Sequence, residues 1–280
     1  MPQTKTDTWN PLCLDTPLFE PLSPLAPELQ KSPTHWPSLD NYQHILNTNE
    51  KAVQTKNNKT IRFVEQSDRP SCFEDHYENR IYLTGEVQTR LQNWHDFFQV
   101  LVWRTFPKIK VELNARHYQA AIDRKHNTAA SKNRSPIENA ITLFDECGAI
   151  ILSSDMQLLE LVKQHQWKEL FWHRRPYFDQ HFKCVVFGHA LYEKAIAPYI
   201  GMTAHCVLLT VPADLLTQPL HAILNYCDNH VAQDFTYQKQ RIRSPKDLHP
   251  FPILGMPGWH SENSQESFYD NTSYFRPKRK

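Results

Sequence analysis

Two histidines stand where imidazoles are seldom found by chance. His95 lies in Asn93-Trp94-His95-Asp96-Phe97-Phe98, within a nearly all-apolar helical run, and His189 follows Val185-Val186-Phe187-Gly188. An apolar core gains little from an unpaired imidazole or carboxylate, so these groups either pair inside the fold or line a pocket. Glu193 lies one helical turn beyond His189 and faces the same side. Such a pair can bind a metal, or the glutamate can orient an imidazole that acts as a base. His205, just before Cys206-Val207-Leu208-Leu209, is placed for a strand edge to aim it inward. His95, His189, Glu193 and His205 together satisfy the donor inventory for a divalent metal such as zinc, iron or manganese. Asp145 and Glu146 close an apolar run ahead of Gly148. The candidate catalytic set is therefore His95, Asp96, Asp145, Glu146, His189 and Glu193. The structural alternative has each histidine bonded to a neighbouring carbonyl and Glu193 paired with a lysine.

Arg174 and Arg175, set among Phe171, Trp172, His173 and Tyr177, are candidates to clamp an anionic substrate. The alternative is a helix end where guanidiniums complement the local dipole. Residues 108 to 134 carry seven Lys or Arg against two acidic residues, with His117 between them as a further substrate-binding candidate. The aromatics there are too sparse for a nucleic-acid stacking platform, and nucleic-acid contact is not expected. Leu143-Phe144-Asp145-Glu146-Cys147-Gly148 resembles the phosphatase loop of haloacid-dehalogenase-like enzymes, but Cys147 stands where that pattern needs a second aspartate.

The elements that must position these groups can be read in outline. A proline-rich segment at 1 to 40 carries Trp9, Phe19, Leu22, Leu25 and Trp36, too apolar for a free tail, and is expected to lie across the domain surface. Short strands are expected at 61 to 64 and 80 to 83, then a central helix over 86 to 106 that Pro107 ends and a second helix from 108 to 126. Ser135-Pro136-Ile137-Glu138 is a helix start with serine cap, early proline and glutamate three beyond the cap. Strands follow at 149 to 152, 182 to 187 and 206 to 211. Helices are expected from Ser154 through Val162, over 188 to 197, and over 213 to 232, the last divided by Pro219. Gly188 permits a close backbone approach at the strand-to-helix junction before His189. The fold class is α+β, a helix-dominated single domain with a few short strands and a proline-rich N-terminal arm.

Composition removes whole classes of function. The chain has 280 residues, a formal charge of +1, and six glycines against twenty prolines. Neither the dinucleotide-binding glycine turn nor the phosphate loop can be found in it. Near-neutral charge predicts no strong attraction to nucleic acid or anionic lipid. No stretch is apolar enough for a spanning helix, residues 1 to 12 do not read as an apolar leader, and the six cysteines form no Cys-x-x-Cys pair. A cytoplasmic protein with reduced thiols and no structural disulfide is expected.

The strings Asn93-Trp94-His95-Asp96-Phe97-Phe98, Leu143-Phe144-Asp145-Glu146-Cys147-Gly148, Phe187-Gly188-His189-Ala190-Leu191, Gly201-Met202-Thr203-Ala204-His205 and Leu254-Gly255-Met256-Pro257-Gly258-Trp259 together resemble the signature of domain-of-unknown-function family 3025. The resemblance implies a soluble proteobacterial protein. It carries no activity, cofactor or catalytic residue. It marks 80 to 277 as one unit, with 1 to 79 an N-terminal arm and elaboration and 278 to 280 a basic tail. Two functions remain in view. One is a small-molecule or phosphoester hydrolase using a His/carboxylate pocket. The other is a non-catalytic ligand- or protein-binding domain presenting Trp172, Tyr177, Trp259 and Phe275.

Overall fold

Ala149-Ile150-Ile151-Leu152 has no polar alternation, the pattern of a strand covered on both faces. In the computed structural model, which describes residues 7–10, 14–29, 34–48, 51–67, 70–126, 134–239 and 241–278, this run lies in a fully buried strand. Before it come the short helix α1 (Ala26–Leu29), α2 (Leu39–Asn47), strand β1 (Arg62–Glu65), α3 (Tyr77–Thr84), β2 (Glu86–Thr89), α4 (Trp94–Thr105), α5 (Pro107–His126) and α6 (Pro136–Cys147). The central strand is β3 (Gly148–Ser153), followed by α7 (Met156–Lys163), α8 (Phe178–His181), β4 (Phe182–Val186) and α9 (His189–Ala195). Strand β5 (Thr203–Thr210), α10 (Ala213–Leu216), α11 (Leu220–Asp234) and β6 (His249–Pro252) complete the named elements, and 3-10 turns carry the C-terminal segment. The result is a helix-dominated α+β domain, as the sequence indicates.

The four-stranded sheet has the order β4-β3-β5-β6, with β3 parallel to β5 and the two outer pairs antiparallel. Its register decides where the site falls. Ala149 at the start of β3 pairs with Val186 at the end of β4, so the last turn of α6 and the first turn of α9 meet at one sheet end. The Gly148 carbonyl accepts from both Phe187 N (3.0 Å) and Gly188 N (2.8 Å). A Cβ on Gly188 would lie 2.5 Å from the Glu146 carbonyl oxygen and 2.5 Å from the Gly148 nitrogen. The glycine is required there by backbone crowding rather than by its dihedral angles, which are ordinary at φ −62° and ψ 121°.

Between 80 and 106 the order of elements differs from the sequence reading. Residues 80 to 83 are helical, in α3, and Gly85 at φ 78° is the left-handed residue that ends this helix. The strand is β2, which the reading placed inside the following helix. It pairs in parallel with β1. Helix α4 starts only at Trp94, where the Asn93 side chain accepts from Asp96 N (3.1 Å). The alternating burial of β2 was masked by the continuous apolar run that follows it. The box at Ser135 and Glu138 forms as read, whereas the helix expected from Ser154 starts at Met156 and is capped by Asp155. Pro219 separates α10 from α11. The polar segment at 127 to 133 lies outside the described residues.

The N-terminal arm runs over α4 and α9. Phe19, in the 3-10 turn Pro17–Leu25, stacks on Phe98 and Tyr192 at 5.7 and 5.6 Å. Trp9 stacks on Trp94 at 5.0 Å, and Asp7 accepts from the Trp94 backbone N–H at 3.0 Å. Among the described residues, no helix is long and apolar enough to cross a membrane. Five described cysteines, at 72, 147, 184, 206 and 227, are free thiols, and Cys13 lies outside the described residues.

Candidate functional site

Three helix ends converge on one cavity of about 740 Å³. The first turn of α4 brings His95, the last turn of α6 brings Asp145 and Glu146, and the first turn of α9 brings His189. Glu193 follows one turn later on α9.

The imidazoles meet edge to face. His95 Nε2 and His189 Nε2 are 3.0 Å apart, with the ring planes at 81°. The Glu193 carboxylate lies 2.8 Å from His95 Nδ1 and can only accept, so Nδ1 carries a proton. That leaves a lone pair on Nε2 of the neutral His95 ring. His189 is buried, and its Nδ1 has no hydrogen-bond partner of ordinary geometry. This atom faces Asp145, whose Oδ2 is 3.8 Å away. The opposite nitrogen, Nε2, lies 3.8 Å from Glu146 Oε2. Asp145 in turn accepts from Lys110 Nζ at 2.6 Å, an ion pair buried beneath the cavity floor.

Electrostatics separates the two rings. Burial pushes the His189 pKa down to about 4, reinforced by Lys110 and His95 and opposed by Asp145, so this ring is neutral at physiological pH. Burial works against the His95 cation as well, but the Glu193 bond and the charges of Glu146, Glu193 and Asp96 outweigh it and hold this group above its ordinary value. Burial raises Glu146. Its bond to His95 lowers Glu193. Burial would raise Asp145, but the charges of Lys110 and His189 hold it below the usual carboxylate range. Groups in one pocket with pKa values driven apart are the raw material of acid–base and metal chemistry.

The structure thus brings His95, Asp145, Glu146, His189 and Glu193 together. Asp96 lines the same cavity, but its carboxylate is committed to Arg90, accepting from the backbone N (2.6 Å), Nε (3.0 Å) and Nη2 (2.8 Å). This anchors the β2–α4 connection and leaves Asp96 a positioning residue rather than a catalytic one. The metal-ligand set read from sequence also needs correction. Glu193 sits on the outward nitrogen of His95 and orients that ring. His205 pairs with Gly148 in the β3–β5 register and stands outside the group of His95, Glu146 and His189, whose ligand atoms lie within 4.8 Å of one another. Glu146, not His205, is the third group within reach of the two imidazoles.

Of the substrate-binding candidates, His117 lines the cavity. Arg174 and Arg175 do not. Arg174 bonds Glu169 (2.8 Å), while Arg175 bonds the Asn263 carbonyl (2.6 Å) and the Tyr269 hydroxyl, tying the C-terminal segment down. Their charges are used up in structure. Phe275 is buried in the core, so the aromatic set Trp172, Tyr177, Trp259 and Phe275 forms no continuous surface. Arg124, Lys125 and Arg134 also line the cavity, and sequence reading had them only as part of a diffuse basic stretch. Lys110 was equally hidden, because its neighbours Lys108 and Glu112 give it the look of a solvated face.

A family model described as protein of unknown function, DUF3025, matches residues 61–279. The chain belongs to this family. All five convergent residues fall inside the matched segment, and most of the N-terminal arm precedes it. No curated protein and no solved structure matches the chain.

Proposed function

We propose that the cavity is the active site of a hydrolase acting on a small molecule, with phosphoesters the first class to test. The observation that carries this reading is the meeting of His95 Nε2 and His189 Nε2 at 3.0 Å on the cavity floor, with Glu193 and Asp145 behind the two rings and Glu146 beside them. Convergent imidazoles and carboxylates in a cavity of small-molecule size are what activation of a water requires. The cavity also presents Lys125, Arg134 and His117, cationic or protonatable groups suited to a phosphate ester. In the reaction the water oxygen bonds to phosphorus while the bond to the departing alcohol oxygen breaks with its electron pair. The proton lost by the water is matched by one taken up by that oxygen.

The setting that fits is the bacterial cytoplasm, where thiols such as the buried, unpaired Cys184, Cys206 and Cys227 stay reduced. The alternative is a ligand-binding domain without catalysis, favoured by the pairing of Arg90 with Asp96 and of Arg124 with Glu138, which consumes much of the lining charge. A panel of nitrophenyl phosphomonoesters, phosphodiesters and carboxyl esters separates the two. Turnover that falls at least about 100-fold in His95→Gln supports the hydrolase. Small-molecule binding in the cavity with no turnover across the panel supports the binding domain.

A further inference from the structure

The geometry points to a divalent transition-metal site formed by His95 Nε2, His189 Nε2 and a Glu146 carboxylate oxygen. This deepens the hydrolase reading and rests on it for what the ion does, not for whether it binds.

Four observations lead there. The first is the direction of the two Nε2 atoms. Glu193 holds a proton of His95 on Nδ1, and Asp145 faces Nδ1 of His189, so the two Nε2 atoms are the ones turned toward each other, 3.0 Å apart. Two nitrogens at that distance need a positive centre, either a proton on one of them, which makes a hydrogen bond, or a metal ion held by both. Nitrogens bound at about 2.1 Å are about 3.4 Å apart at the tetrahedral angle and about 3.0 Å at a right angle, so the observed 3.0 Å needs at most a few tenths of an ångström of opening to admit an ion.

The second is the arrangement behind the ligands. Each imidazole is backed on its outward nitrogen by a carboxylate, the pattern by which proteins orient metal-bound histidines. The third is charge. Lys110 offsets Asp145 and Arg90 offsets Asp96, which leaves Glu146 and Glu193 as the carboxylates that face the two rings. Lys194 bonds Cys147 at 3.6 Å, and its charge also reaches Glu146. A cation between the imidazoles is drawn by those two carboxylates.

The fourth is the unsatisfied Nδ1 of His189, a buried polar atom aimed at a carboxylate just beyond bonding distance. A buried polar atom left unpaired costs free energy, and an ion on Nε2 draws charge from the ring and strengthens the Nδ1–H as a donor to Asp145. Glu146 needs the largest adjustment. The three ligand atoms span up to 4.8 Å, whereas one ion joins atoms no more than about 4.2 Å apart. A small swing of the Glu146 side chain, which is 38 % exposed, closes that gap. Two imidazoles and one carboxylate select zinc, manganese or iron(II) over magnesium and calcium, and leave coordination positions open toward the cavity.

The test uses the full chain, purified without a histidine tag and stripped with chelator, titrated calorimetrically with Zn²⁺, Mn²⁺ and Ca²⁺. One Zn²⁺ per chain at micromolar or tighter affinity is expected, with Ca²⁺ at least about 100-fold weaker. His95→Gln and Glu146→Gln should each weaken Zn²⁺ binding by at least about 10-fold, and Glu193→Gln by about 10- to 100-fold, while His205→Gln leaves it unchanged. Circular dichroism confirms that each variant is folded. Cobalt substitution gives a readout independent of activity, since its visible absorption should change in Glu193→Gln if that carboxylate orients His95. No Zn²⁺ binding, or binding indifferent to both His95→Gln and Glu146→Gln, overturns the metal site. The two readings fail separately. Zinc bound without turnover of any ester supports the metal site and sinks the hydrolase, whereas ester turnover by a protein that takes up no Zn²⁺ in the titration does the reverse.

Discussion

Lys110 shows how much of the site depends on one side chain outside the cavity. Its ammonium is almost fully buried, bonded to Asp145 and 5.2 Å from the centre of the Trp103 ring. Removing one member of a buried ion pair strands the other charge without solvent, which costs about 3–5 kcal/mol, more than the pair itself contributes. Lys110→Met is therefore expected to lower unfolding free energy by that amount in urea denaturation. The double variant Lys110→Met/Asp145→Leu should recover a large part of the loss, because no charge is then left buried. A single variant within about 1 kcal/mol of wild type would mean that Asp145 is better solvated than the geometry implies. Sequence alone pointed to His95, His189 and Glu193, because polar groups inside apolar runs stand out. Lys110 stood in a stretch where charge looks ordinary, and Glu146 could not be preferred over His205. Only the β3–β5 register, set by contacts distant in sequence, sends His205 to the strand and leaves Glu146 at the cavity.

At the scale of elements, two junctions hold the helix ends in place. The first is Gly188, pressed against the backbone of Glu146, Cys147 and Gly148. Gly188→Ala must push α9 away from α6, since the atoms it meets are backbone and cannot rotate aside. A loss of about 1–3 kcal/mol is expected from overpacking, together with weaker Zn²⁺ binding as His189 moves from His95. Unchanged metal affinity in a destabilised Gly188→Ala would show that the His189 turn adjusts independently of the sheet. The second junction is the start of α5, where Asp228 of α11 accepts from Ile109 N (2.9 Å) and Lys108 N (3.2 Å). Burial pushes Asp228 up to about 6, against the pull of those amides. The folded chain then holds a proton that the unfolded chain has already lost. Stability falls as pH rises from about 4 through about 6, by up to about 3 kcal/mol, and levels off above. Asp228→Asn lacks this titration, so urea denaturation should show the variant gaining on wild type across that window. A constant difference from pH 4 to 7 would count against it. The helices over 107 to 126 and 136 to 147 were legible from proline, caps and apolar spacing. The exchange of strand and helix between 80 and 89 was not, because β2 is only four residues long and pairs with a strand more than twenty positions earlier.

Across the whole molecule, the arm and the matched domain are joined at the helices that carry the site. Phe19 is almost fully buried between Phe98 of α4 and Tyr192 of α9, so an arm residue braces the two helices that supply His95, His189 and Glu193. Trp9 and Trp36 pack against Trp94, and the Trp36 indole N–H donates to the Asp7 carbonyl at 2.9 Å, extending the brace to the residue next to His95. The arm therefore acts as part of the core despite a proline content that forbids long helices. Truncating one large aromatic here costs about 3–5 kcal/mol, because neighbouring rings relax only partly into the space it leaves. Phe19→Ala is expected to lose that much in urea denaturation and to weaken Zn²⁺ binding at the same time, since α4 and α9 lose the ring that fixes their spacing. Glu20→Gln, one position along and paired at the surface with Lys183 at 3.4 Å, should change neither quantity by a comparable amount. The paired measurement is decisive. If Phe19→Ala is destabilised but binds metal with wild-type affinity, the arm supports the fold without setting the geometry of the His95–His189 contact, and the site belongs wholly to the matched domain.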